Sequence, residues 1–186
     1  MKGTLKVDAK NPEGTIRSLF ARWLKEGKLS AILTPAYSAT GIATVALVSN
    51  PEKLAEAAPL LPAMGVNAAS IVAEIARDAS ANAKVGLFLR PCELRAVVEL
   101  MKLKQIAPDS LVLIGADCAG TYKAAGFRNV RGKDDDFDNK HVREQSGYAD
   151  NVNFRMACQM CEYAKPLVFD LNVGFVGMDT GKELWI

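Results

Sequence analysis

Hydrophobic positions along this 186-residue chain change period several times, and each change marks an element. Ile16, Leu19, Phe20, Trp23 and Leu24 fall at i, i+3, i+4, i+7 and i+8, which predicts an amphipathic helix over residues 15–26 with Trp23 in its core face. Thr15 stands at its N-cap, after the loop chemistry of Asn11-Pro12-Glu13-Gly14, and Gly27 stops it. Two short apolar runs then read as strands, Leu29 to Thr34 and Ile42 to Val48, separated by the small, polar Ala36-Tyr37-Ser38-Ala39-Thr40-Gly41. A short helix begins at Pro51, and a longer one spans Asn67 to Ala79 with Ile71, Val72 and Ile75 on one face. The pattern is strongest in the middle of the chain. Lys84 to Leu89 is strand-like, Pro91 opens a helix with the stripe Leu94, Val97, Val98 and Met101, and Leu111 to Ile114 is a second buried strand. Strand, helix and strand at this spacing make a βαβ unit. The expected fold is α/β, with a mixed or largely parallel sheet flanked by helices.

Residues 126–153 break the pattern. They are polar, bear glycine, and centre on Asp134-Asp135-Asp136-Phe137-Asp138, so a long loop or insertion with a solvated acidic face is expected. No glutamate completes a calcium loop there, and His141, the only histidine, is expected at the surface. Further on, Val173 to Asp179 reads as strand and turn. The apolar ending Leu184-Trp185-Ile186 suggests a strand pairing at a sheet edge, or a chain cut within a longer protein. One α/β domain is expected over residues 1–186, or the N-terminal portion of something longer.

Composition narrows the class. With 49% hydrophobic and 24% charged residues the chain is an ordinary globular protein, and a net charge of +2 favours neither nucleic acid nor a membrane surface. No apolar run reaches the roughly 18 to 20 residues of a membrane span. Met1 to Asp8 lacks the apolar stretch of a signal peptide, so a reducing, cytoplasmic setting is expected and disulfides are disfavoured.

That setting changes how the four cysteines read. Cys92 follows Pro91 at a helix start, where the dipole and free N–H groups stabilise a thiolate. Cys118 ends the second strand of the βαβ unit, just before Gly120. Cys158 and Cys161 form a C-x-x-C pair in Arg155-Met156-Ala157-Cys158-Gln159-Met160-Cys161. Strand ends along one edge of an α/β sheet can converge, so these four thiols can meet. Three readings stay open: an iron–sulfur cluster, tetrahedral zinc, or unliganded core cysteines. A thioredoxin-like use of the pair fits poorly, because it follows a polar stretch near the C-terminus. Met156 and Met160 are expected to give apolar cover to the site.

Three stretches resemble the beta subunit of coenzyme F-420-reducing hydrogenase and F-420-dependent formate dehydrogenase. They are Gly14 to Leu33, Val85 to Ala96 around Arg90-Pro91-Cys92-Glu93, and Arg155 to Cys161 running on to Pro166, Asp170 and Gly174. The resemblance implies FAD and a 4Fe-4S cluster, which exchange electrons with a two-electron carrier, the deazaflavin coenzyme in the named members. By position, Cys92, Cys118, Cys158 and Cys161 would ligate the cluster. Gly14, Thr15 and Ser18 would offer donors to a flavin phosphate, and Thr34, Tyr37, Ser38 and Thr40 would line the same mouth. Arg90 would set a cation beside the cluster, where lysine is commoner in the family. Members run further past the Asp-x-x-x-Gly strand, so the chain resembles a truncated or minimal form. The implied partners are redox subunits of a hydrogenase, formate dehydrogenase or heterodisulfide-reductase-like complex, together with a small-molecule electron carrier. A cluster-carrying electron-transfer subunit and a zinc-stabilised interaction domain are the alternatives.

Overall fold

A computed structural model describes residues 3–78, 83–132, 134–144 and 153–186. In chain order the elements are β1 (Thr4–Lys6), α1 (Pro12–Lys25), β2 (Ala31–Tyr37), β3 (Ala43–Val48), α2 (Ala69–Asp78), β4 (Val85–Leu89), α3 (Pro91–Lys102), β5 (Leu111–Ala116), α4 (Ala124–Arg131), α5 (Phe137–Glu144), α6 (Met156–Gln159), β6 (Leu171–Val173) and β7 (Glu183–Trp185). Five strands form one sheet in the order β3-β2-β4-β5-β6. β2 and β3 pair antiparallel, while the β2–β4, β4–β5 and β5–β6 pairs are parallel, so the sheet is mixed and largely parallel as expected.

Alternation along the strands sorts the core into two layers. Ile32, Phe88 and Ile114 face α1, where they meet Ile16 and Phe20. Leu33, Leu87 and Leu113 face the other way, against Val72 of α2 and Leu94 and Val97 of α3. Because β4 and β5 are adjacent and parallel, with Leu89 opposite Gly115, their C-terminal ends open side by side. That geometry brings Cys92 and Cys118 together.

Several local expectations are corrected. α1 begins at Pro12, and its cap is Asn11, whose side chain accepts the Gly14 N–H; Thr15 lies inside the helix. Pro12 ahead of Thr15 explains this, since its fixed φ suits a first helical position. The segment from Pro51 to Glu56 is a 3-10 helix. Tyr37 ends β2 rather than lying in a loop. Trp23 is only partly buried, at the edge of the core. The expected polar loop over 126–153 instead carries most of α4 and all of α5, while residues 133 and 145–152 lie outside the described residues. Asp138, Asn139 and His141 on α5 are buried, so neither the acidic face nor the histidine is wholly solvated. The C-terminal strand β7 pairs antiparallel with β1 in a separate two-stranded sheet. Among the described residues no helix is long and apolar enough to cross a membrane.

Candidate metal centre

Cys92 sits in the first turn of α3, immediately after β4, and Cys118 follows β5 by two residues. Cys158 lies on α6, and Cys161 just beyond it. All four line one cavity of about 170 Å³, with Met64, Pro91, Arg95, Arg155 and Tyr163 around them. A larger cavity of about 600 Å³ opens toward the strands' N-terminal ends, between Trp23, Lys84, Val112 and Leu171, and none of the four cysteines lines it.

Backbone pairing carries the C-x-x-C segment to the strand ends. The Cys118 N–H donates to the Ala164 carbonyl at 2.8 Å, the Arg155 N–H to the Thr121 carbonyl at 3.0 Å, and the Lys123 N–H to the Asn153 carbonyl at 3.0 Å. Two glycines permit this close approach. Gly120 holds φ at +95°, and a Cβ there would stand 2.5 Å from Phe154 Cε2. Gly115 leaves room for the Pro166 ring, whose Cγ would be 2.8 Å from an added Cβ. Thr121 Oγ1 lies 3.1 Å from Cys158 Sγ. These approaches depend on contacts distant in sequence; the small residue at 120 was the one local signal.

Burial pushes the Cys118 thiol up to about 12, against the Arg90 guanidinium, which acts to lower it. Burial also raises Cys92, the neighbouring Glu93 carboxylate adds to this, and Arg90 again opposes. Such thiols stay protonated by themselves; a bound metal takes them as thiolates and releases the protons. Tetrahedral zinc at about 2.3 Å from each sulfur brings its ligands within about 3.8 Å of one another. Among the described residues no three Cys, His, Asp or Glu groups gather closely enough to hold one metal ion. Four thiols around one shared cavity are a donor set that either tetrahedral zinc or an iron–sulfur cluster could draw on.

The cavity is braced by a buried ion pair. Arg90 is buried, donates to the Leu61 carbonyl at 2.5 Å and the Ala63 carbonyl at 3.2 Å, and lies 3.6 Å from the Glu93 carboxylate. Glu93, buried in turn, accepts the Arg90 and Ala68 backbone N–H groups at 3.0 and 3.2 Å. Arg90 therefore ties the 61–63 loop to the start of α3 and keeps its cation beside Cys92 and Cys118. Glu93, in the sequence only the acidic residue after Cys92, also caps the helix, as an acidic residue three positions after a helix N-cap signals. Arg155 lines the cavity with Nη1 2.8 Å from Met64 Sδ. Met156 and Met160 do not cover the site: they are 74% and 76% exposed. α6 is a single short turn with no buried residue, so its methionines have no core to enter.

The residues expected around a flavin are elsewhere, and most are engaged. The Glu13 N–H donates to Asn139 Oδ1 at 3.0 Å, the Gly14 N–H to Asn11 Oδ1 at 2.8 Å, and the Thr15 N–H to the Asn11 carbonyl at 3.1 Å. The Thr15 and Ser18 hydroxyls donate to the Asn11 and Gly14 carbonyls, each at 3.0 Å. Tyr37 donates its hydroxyl to the Asp138 carboxylate at 2.8 Å, under the Arg131 guanidinium. Ser38 and Thr40 bond each other across the β2–β3 turn at 3.0 Å, and the Thr40 carbonyl accepts from Arg128. Thr34 is fully buried, with its hydroxyl lacking a hydrogen-bond partner among the described residues. Gly14, Thr15 and Tyr37 do share a neighbourhood, but α5 fills it. As folded, the N-terminus of α1 does not fit a phosphate.

No family model matches the chain. It is 29% identical over 199 aligned positions to F420-dependent formate dehydrogenase 1 subunit beta of Methanococcus maripaludis, covering 91% of this chain and 49% of that protein. Against the F420-dependent formate dehydrogenase subunit beta of Methanocaldococcus jannaschii the identity is 26% over 156 positions, covering 72% and 40%. A chain of the F420-reducing NiFe hydrogenase complex from Methanosarcina barkeri superposes with a TM-score of 0.48 at 16% identity, over 70% of this chain and 47% of its own. The chain thus spans about half the length, or less, of the curated relatives it matches. Matched along most of its own length to two such beta subunits, the chain is similar to the coenzyme F420 hydrogenase/dehydrogenase beta-subunit family.

Proposed function

We propose that this chain is an iron–sulfur electron-transfer module of an F420-dependent oxidoreductase, with Cys92, Cys118, Cys158 and Cys161 holding a 4Fe-4S cluster. One observation carries the reading: four thiols from three separate parts of the chain open onto a single cavity of about 170 Å³. Such a cluster supplies reversible one-electron storage, at a potential set by charge, hydrogen bonds to sulfur and solvent access. The chain's own residues act on those quantities. The Thr121 hydroxyl lies within reach of one sulfur, Arg95 and Arg155 bring positive charge to the cavity wall, and the first turn of α3 points its dipole at Cys92.

The relatives' names bring F420, the deazaflavin carrier, as the two-electron partner of the whole enzyme, and a formate dehydrogenase or hydrogenase complex as its setting. FAD is the group that would couple two-electron to one-electron chemistry there. The phosphate donors expected for it on this chain are closed by Asn11 and Asn139, so the geometry favours the cluster-carrying reading with flavin bound elsewhere in the enzyme.

An anaerobic visible spectrum, with iron, sulfide, zinc and flavin quantified on the same sample, tests this. About four irons and four sulfides per chain, with a broad brown absorbance lost on Cys→Ser substitution at any of the four positions, is the expected result. Stoichiometric zinc without iron in protein purified without air refutes it. Tightly bound FAD on the isolated chain would restore the flavoprotein reading.

A further inference from the structure

Six of the eleven large hydrophobic side chains exposed among the described residues fall between Met156 and Phe169: Met156, Met160, Tyr163, Leu167, Val168 and Phe169. The same stretch contains Cys158 and Cys161. Apolar side chains scattered singly over a surface are ordinary, whereas such a concentration marks a contact surface.

The segment is anchored, so the exposure is not that of a loose end. Its Ala164 carbonyl takes the Cys118 N–H at 2.8 Å, and Pro166 lies against Gly115. The Asp170 N–H donates to the Leu113 carbonyl at 2.9 Å, while its carboxylate accepts the Leu113 N–H at 2.7 Å. Between these ties Leu167, Val168 and Phe169 stay in solvent.

Charge adds a preference. Arg95 and Arg155 line the adjoining cavity, and Lys165 lies within the segment. Glu162 is the one carboxylate within the segment, and that of Asp170, just beyond it, is held by Leu113. The Arg95 guanidinium lies 4.7 Å above the Tyr163 ring, which presents cation and aromatic together.

Resting on the cluster reading above, we propose that the 156–169 ribbon is the docking face for an electron-carrying protein whose contact surface is apolar and bordered by carboxylates. A partner seated there sits beside the cysteine cavity and sheds water from the apolar ribbon. The cluster that Cys92, Cys118, Cys158 and Cys161 would hold would supply the one-electron acceptor for a reduced partner docked there, with no bond formed or broken.

The test uses the full chain, purified anaerobically with its iron measured. A bacterial-type ferredoxin serves as the probe of a small acidic iron–sulfur protein, and reduced methyl viologen as a reductant that needs no docking face. Stopped-flow bleaching reads both rates. L167D/F169D is expected to slow reduction by ferredoxin at least about tenfold, with the viologen rate unchanged within about twofold. L167S/F169S, with no added charge, gives a smaller loss. K165E slows the ferredoxin reaction most at low salt, and about 0.5 M NaCl narrows the difference from wild type. Matched circular dichroism confirms that the variants fold. Equal ferredoxin rates in wild type and L167D/F169D overturn the proposal. So does a wild-type chain that viologen reduces and ferredoxin does not. Concentration-dependent dimers abolished by the same substitutions also overturn it, by assigning the face to a second copy of the chain. A chain with no iron and no viologen bleaching refutes the cluster reading itself, and the docking proposal with it.

Discussion

Replacing Arg90 with methionine keeps much of the side-chain volume and removes the charge at the heart of the site's scaffold. Three interactions disappear: the donations to the Leu61 and Ala63 carbonyls and the ion pair at 3.6 Å with Glu93. Hydrogen bonds to charged groups contribute about 1.5–3 kcal/mol each, and removing one partner of a buried pair costs about 3–5 kcal/mol because the other charge stays behind. Two Glu93 bonds survive, from the Arg90 and Ala68 N–H groups, and they offset part of that penalty. The expected loss for R90M is about 4 kcal/mol, read as a lower urea midpoint with an unchanged slope. R90K retains the cation without the planar fork, so a loss of about 1–2 kcal/mol is expected from the carbonyl it cannot reach. Adding E93Q to R90M should recover part of the loss, giving a coupling of about 1–3 kcal/mol in a double-mutant cycle. Iron per chain should fall with R90M, because the tethered loop leads into Met64 and Asn67 on the cavity wall. A loss below about 1 kcal/mol, or R90K as damaging as R90M, would refute the scaffold role.

Two buried groups give opposite pH dependences. Burial raises Glu13 to about 7, against Arg17, so it stays protonated in the fold while the unfolded chain ionises from about 4.5. Its contribution is present below that value and is lost as pH rises through 7; E13Q should remove about 3 kcal/mol of this loss, measured by urea unfolding from pH 4 to 8. Burial lowers His141 to about 4, so its contribution is present above 6.5 and lost as pH falls toward 4; H141F should gain about 3 kcal/mol on wild type between pH 7 and 4 in the same assay. A pH-independent difference from wild type would contradict either assignment. G120A forces a Cβ into Phe154 at a left-handed backbone, and a loss of about 3 kcal/mol with lower iron retention is expected from thermal melts and iron assay.

Much of the scaffold was legible because it is periodic. The spacing of Ile16, Leu19 and Phe20 required a helix face, and Lys84 to Ile114 could be little other than strand, helix, strand. The C-x-x-C pair and the cysteines after two strand-like runs were equally plain, since strand ends are where such folds collect chemistry. α5 was illegible for a physical reason. Asp138, Asn139 and His141 look solvated in any window, and they are buried only because Tyr37, Glu13 and Tyr122, distant in sequence, supply their surroundings. The helix N-terminus expected to receive a phosphate had the right composition; its closure by Asn11 and Asn139 depends on a residue more than a hundred positions away.

The sequence by itself determined the α/β class, the βαβ unit and the four candidate ligands, because these follow from local period and residue type. The tertiary structure decided that the four thiols share one cavity, that Arg90 braces a loop beside that cavity, and that Met156 and Met160 point into solvent. Those outcomes depend on the parallel register of β4 and β5 and on two close approaches, at Gly115 and Gly120, that no local window encodes.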